Sequence, residues 1–252
     1  MSEAPGPLVP QDPRALADWR TFVARIQHAE ADAAVRLSVT GDVLVLTAAP
    51  LHPRGLGDSM PLVLGMRMLR LADSGHDGLD AVVEARALLD RFARIEAGAP
   101  GAASAAASDA VGVAVPPVEV KAAWAGISPP RGPWEPVGTL SVRRLAEAAE
   151  AGIAEVAEGT PSGAGSHAVE ALRRQVWSRT AAEVAPAEDA HAAGARVPVS
   201  AGAAFGAHVL GFLGRAGSHE AGGHARPDPR VRVLRCGVWQ RLSLPGGHIL
   251  TR

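Results

Sequence analysis

Large apolar side chains are scarce in this sequence, because alanine takes much of the apolar share. The AVILMFWYC set makes up 47% of the 252 positions. Roughly a fifth of the chain is alanine, which contributes little burial. Core-building residues are therefore nearer a quarter of the chain than a half. They must be concentrated in a few short elements, enough for one modest domain or a close pair.

Low-complexity segments separate those elements. Residues 97–117 are rich in Ala, Gly, Ser and Pro, the stretch from Ala181 is Ala-rich with Pro186 and Pro198, and residues 214–230 are rich in Gly, His and Pro. Such compositions read as linkers or disordered insertions, leaving an ordered protein of about 190 residues. The expected organisation is a disordered N-terminus over 1–12, a helix–hairpin–strand–helix half over 13–96 and a linker over 97–117. A C-terminal half over 118–252 follows, with flexible loops at 181–200 and 214–230 and a final β-meander.

Periodicity places the elements. Asp12-Pro13 is a helix start, followed by Leu16, Trp19, Val23 and Ile26 on one stripe to about Glu30. Val35 to Val39 alternates, Thr40-Gly41-Asp42 turns, and Val43 to Thr47 returns as a hairpin. A third strand is expected over 61–71, where the apolar run also suits a short buried helix, and a second amphipathic helix over 80–95 through Leu88, Leu89, Phe92 and Ile95. Ser141, Ser166 and Ser200 each open a helix, the last with Gly202 and Gly206 placed for close packing. Val231 to Thr251 is a meander turning at Cys236-Gly237 and Pro245-Gly246-Gly247. The fold class is α+β: antiparallel hairpins or meanders near both termini, packed with about five amphipathic helices.

An internal echo links the two hairpins. Val35-Arg36-Leu37 precedes Gly41, Pro50 and His52, and Val231-Arg232-Val233 precedes Gly237, Pro245 and His248. Each hairpin also follows a helix, although a long linker separates the second pair. Two quasi-repeated units would fit, but chance similarity between two Val/Leu-rich hairpins is the favoured explanation.

The missing residues narrow the chemistry. There is no Tyr and no Asn, and Lys121 is the only lysine. Glycosylation acceptors and asparagine ligands are excluded, and Lys121 follows no glycine-rich loop, so there is no P-loop. The single Cys236 forms no internal disulfide, which fits a reducing compartment. A formal net charge of −1 argues against a dedicated nucleic-acid binder. The N-terminus has no signal-peptide pattern, and no apolar run reaches 18 residues. A soluble cytoplasmic protein with no membrane partner is expected, and no cofactor or metal is implied.

Several constellations are candidates for a site. Gly57-Asp58-Ser59-Met60 resembles the Gly-Asp-Ser block of the SGNH hydrolases, but the Asn and Asp-x-x-His of that family are missing, so it reads as a polar turn. His219, Glu220 and His224 lack the four-residue spacing of a helical zinc motif. Arg173, Arg174 and Arg179 form a local basic cluster, with Glu170 placed to neutralise it. The densest signal is the stretch from Trp124 to Pro136, where prolines pre-set an extended backbone around two tryptophans and an arginine. Trp124, Arg131, Trp134 and Glu135 are the candidate binding residues, although the same composition also serves a segment pinned across the protein's own core.

The Ile127–Glu135 segment, the Gly152–Val156 helix and the Gly247–Arg252 terminus together resemble an uncharacterised family of actinobacterial hypothetical proteins. That resemblance implies no activity, ligand or catalytic residue. The functional expectation is a non-catalytic interaction or adaptor protein, chaperone-like in kind, that binds a protein partner. The alternatives are an enzyme or small-molecule binder whose site assembles in three dimensions from residues such as His52, Arg54, Asp58 and Arg131, and a nucleic-acid accessory protein using the Arg173–Arg179 helix.

Overall fold

The computed structural model describes residues 6–55, 57–98, 111–160, 165–184, 196–214 and 228–252. Two compact units divide the chain: Met1–Ala48 with Met66–Gly126, and Ala49–Gly65 with Ile127–Arg252. Both are α+β.

In the first unit, α1 (Ala15–Ala29) precedes the strands β1 (Ala34–Thr40), β2 (Val43–Leu51) and β3 (Val63–Arg70), with β2 and β3 running on into the second unit. Asp12 accepts the Arg14 amide at 2.9 Å in the turn ahead of the helix, but it is not the cap. The N-cap is Arg14, without a side-chain bond, and the helix begins three residues after Asp12. Its buried face is Trp19, Phe22, Val23 and Ile26. Gly41, at φ +60°, closes the β1–β2 hairpin, where few other residues are tolerated. Leu8 is fully buried and bridges Val113, so this part of the N-terminal segment has a fixed place.

The helix expected over 80–95 is a strand followed by a helix. Residues Asp80–Glu84 form β4, antiparallel to β1, and α2 occupies Ala85–Glu96. Ala81 and Val83 turn inward and the residues between turn outward, a period-two pattern that β-branched valines favour. The strand order in this unit is β4-β1-β2-β3. Trp19 of α1 meets Phe92 of α2 edge-on, with centroids 5.4 Å apart.

The second unit contains β5 (Glu135–Ser141), α3 (Val142–Glu158), α4 (Ser166–Ser178), β6 (Thr180–Val184), β7 (Val197–Ser200) and α5 (Ala201–Val209). The meander β8 (Arg230–Cys236), β9 (Trp239–Leu244) and β10 (Gly247–Thr251) completes it. Ser141 caps α3 by accepting the Arg144 amide, and Ser200 caps α5 by accepting that of Ala203. The expected loop at 181–200 is in part a strand pair, β6 with β7, while residues 185–195 lie outside the described residues. Residues 99–110 of the first linker and 215–227 of the third segment also lie outside them. Strand order here is β3-β10-β9-β8-β5.

Gly202 and Gly206 do allow a close approach. A Cβ on Gly206 would lie 2.7 Å from Val63 Cγ1 and 3.5 Å from Ile249 Cδ1, so α5 packs its backbone directly onto the strand layer.

The echo seen in the sequence is a duplication of topology. The first unit runs helix–three strands (α1, β1, β2, β3) and then strand–helix (β4, α2). The second runs strand–helix (β5, α3) first, and helix–three strands (α5, β8, β9, β10) last. The order of the two blocks is exchanged, yet the strands pair in the same order, with one bulge in β5 between Pro136 and Gly138 that β4 lacks. Arg36 on β1 pairs with Thr47 on β2 and Val82 on β4. Arg232 on β8 pairs with Ser243 on β9 and Thr139 on β5.

Candidate functional site

Alternation along the meander separates two faces. Val233, Leu242 and Ile249 are in register across β8, β9 and β10, all buried, and Ile249 lies under α5. Their neighbours Arg232, Ser243 and His248 are also in register and point to the opposite face. One step along that face, Arg241 stands opposite Leu234. Direct cross-strand neighbours lie about 5 Å apart and diagonal ones about 7–8 Å. Arg232, Arg241 and His248 thus surround Ser243.

This group carries concentrated positive charge. Arg241 donates from Nε to Ser243 Oγ at 3.3 Å, and its guanidinium lies 5.7 Å from the centroid of Trp134. Burial, then the charges of Arg241 and Arg232, push the His248 imidazole from 6.5 down to about 4. Burial and Arg232 lower the Arg241 guanidinium as well. His248 is neutral near pH 7, and its Nδ1 is buried with no hydrogen-bond partner among the described residues. Among those residues, neither Arg232 nor Arg241 pairs with a carboxylate.

The first unit treats the equivalent arginine differently. Arg36 donates twice to Asp80, Nε to Oδ1 and Nη2 to Oδ2, each at 2.6 Å, and also to the Ala125 carbonyl at 3.0 Å. The pair raises the Arg36 guanidinium and holds Asp80 below the usual carboxylate range. Asp80 is paired with Ser38, and the position matching it in the second unit, paired with Leu234, is Pro136. The position of Val45, also opposite Ser38, is Arg241. One unit neutralises its arginine internally; the other omits the acid and adds a second cation.

The four residues singled out in the sequence are divided between the units. Trp124 belongs to the first, on a 3-10 turn (Ala123–Gly126), and is 5% exposed, an internal anchor. Arg131, Trp134 and Glu135 belong to the second. Arg131 is exposed, Trp134 is half-buried against Arg241, and Glu135 opens β5 opposite Arg235. As the terminal strand in the order, β5 is blunted by Pro136, by a bulge between Pro136 and Gly138, and by Arg230, which donates to both Thr139 oxygens. Recognition by addition of a strand is disfavoured at such an edge, which leaves the face.

The other constellations are held by structural partners. Arg173, Arg174 and Arg179 pair with Glu170, Asp58 and Glu155, so the basic cluster of α4 is neutralised residue by residue. Asp58 accepts the amides of Arg54 and Met60 as well as Arg174, and these bonds lower its carboxyl. Gly-Asp-Ser is therefore a tied turn. His219, Glu220 and His224 lie outside the described residues, among which no three His, Cys, Asp or Glu side chains are grouped to hold a metal. No helix among them is long and apolar enough to cross a membrane.

Sequence reasoning did not single out Arg232, Arg241 and His248 as a site. Two of them stood in the echo, which signalled that Arg232 should be compared with Arg36.

The class this defines is an α+β protein of two permuted units, one with its central arginine neutralised and one without. Residues 3–126 match the family model described as Domain of unknown function (DUF8010), and residues 129–252 match Domain of unknown function (DUF8185). No curated protein matches the chain. The families divide where the units do, near Gly126, except that residues 49–65 fall in the first family and in the second structural unit.

Proposed function

We propose that this chain is a non-catalytic interaction protein, and that its second unit docks an acidic segment of a partner protein beside Trp134. The observation that carries this reading is the half-buried indole of Trp134, with the Arg241 guanidinium over its ring, at the margin of a strand face bearing unneutralised arginines. Tryptophan and arginine supply much of the binding energy at protein interfaces, and charge complementarity selects an acidic partner. The paired arginines of α4 make that helix a poor competitor, which also counts against a nucleic-acid role.

The test is quantitative capture from native lysate by the wild type, Trp134→Ala and Arg235→Gln. Proteins retained by the wild type and Arg235→Gln, lost with Trp134→Ala, and binding directly once purified are the expected result. Identical captured sets for all three would refute docking at Trp134.

A further inference from the structure

We propose that Arg232 and Arg241, with Ser243 and His248 beside them, form a recognition site for a carboxylate side chain of the docked partner. This deepens the docking reading and rests on it. Arg232, Ser243 and His248 occupy one row across three strands, and Arg241 is diagonal to both Arg232 and His248. Like charges in such positions repel, and among the described residues no acid relieves them. An incoming carboxylate between the guanidiniums does. Its two oxygens match the planar arginine fork, and the unpartnered His248 Nδ1 is a further donor in the tautomer that carries its proton there.

The first unit indicates why the ligand is a carboxylate. The arginine equivalent to Arg232 is satisfied by Asp80 in a two-pronged contact. By pairing partner the counterpart of that aspartate is Pro136, opposite Leu234 and beyond the β5 bulge, and neither it nor the bulge residue Val137 is an acid. The second unit thus has the arginine of an established carboxylate contact without the carboxylate, plus Arg241 where the first has Val45. A partner's Asp or Glu completes it.

The experiment uses the full chain and a fluorescein-labelled hexaglutamate peptide, followed by fluorescence anisotropy at low and moderate salt. Hexaglutamate should bind saturably, and its hexaglutamine counterpart should not. Arg232→Gln and Arg241→Gln should each weaken binding at least about tenfold, since hydrogen bonds between charged groups are the strong ones. Arg241→Lys, which keeps the charge and loses the fork, should also weaken it. Arg235→Gln removes the same charge from the opposite face and should leave binding within about twofold. Circular dichroism and melting curves matching the wild type exclude misfolding as the cause.

Absence of saturable hexaglutamate binding overturns the proposal. An equal loss in Arg235→Gln also overturns it, because diffuse charge attraction then suffices. Displacement of the peptide by inorganic phosphate, where acetate at equal ionic strength does not displace it, assigns the site to phosphoryl oxygens and overturns the carboxylate. Failures of the two readings separate cleanly. Partner capture that depends on Trp134 but survives Arg232→Gln removes the carboxylate site and leaves docking. Hexaglutamate binding that depends on the arginines, with no captured protein depending on Trp134, removes docking.

Discussion

Replacing His248 with glutamine should flatten the acid side of the protein's stability profile. In the unfolded chain an imidazole takes up its proton near pH 6.5. In the native state burial and the charges of Arg241 and Arg232 delay that to about 4. Between those values the unfolded state holds one more proton than the native state, so stability rises with pH. The contribution is present in full above about pH 6.5 and is lost as pH falls towards 4. Lowering from 6.5 to about 4 corresponds at face value to roughly 3 kcal/mol, and partial exposure of His248 discounts this to about 1–2 kcal/mol through solvent screening. Asp58, Asp80 and Asp228, held low by their hydrogen bonds, add losses that begin at about pH 5 and grow at more acidic pH, equally in wild type and variant. The assay is urea unfolding of wild type and His248→Gln at about pH 7 and about pH 4.5, where the carboxylate contributions are common to both proteins and cancel in the difference. Wild type should lose about 1–2 kcal/mol more than the variant between the two conditions. Equal losses would show that the imidazole titrates normally and that the cations do not converge on it.

Two further outcomes follow from the packing. Gly206→Ala places a Cβ 2.7 Å from Val63 Cγ1 on a buried helix face. Overpacking of roughly 1–3 kcal/mol should exceed the helix-propensity gain of about 1 kcal/mol, and a urea midpoint above wild type would refute the close approach of α5. Asp80→Asn leaves Arg36 without its two-pronged acid and should lower stability by about 1 kcal/mol, a modest figure because Asp80 is half-exposed. An unchanged urea midpoint would show that the pair does not hold β4 against β1.

Elements whose period was clear were legible in the sequence. The stripe through Trp19, Val23 and Ile26, the hairpin around Gly41 and the C-terminal meander all formed as their spacing required. The start of the 80–95 segment was not, because Ala81-Val82-Val83 is too short to separate a strand from a helix turn until β1 is beside it. Trp124 and Trp134 looked alike in sequence, since proline-rich flanks extend a chain equally well over a core or along a surface. Only burial separates them, one 5% exposed and the other half-buried.

The candidate site was half-legible, and the reason lies in the exchanged blocks. The arginines were visible as an echo, Val35-Arg36-Leu37 against Val231-Arg232-Val233, but an arginine's meaning depends on its acid. In the first unit that acid, Asp80, follows Arg36 by 44 residues, because β4 comes after the meander. In the second, the matching strand β5 comes before it, so the position to inspect is Pro136, far upstream of Arg232. A linear comparison downstream of Arg232 reaches the end of the chain without meeting it. The pairing register alone shows that the two arginines are equivalent and that one lacks its carboxylate. The missing acid, with Arg241 where Val45 stands, increases repulsion on this face, whereas Arg36 on the matching face of the first unit is neutralised by Asp80. A face that carries such repulsion is relieved when an anion arrives, which is why the unpaired unit, and not the neutralised one, is the place to look for a partner.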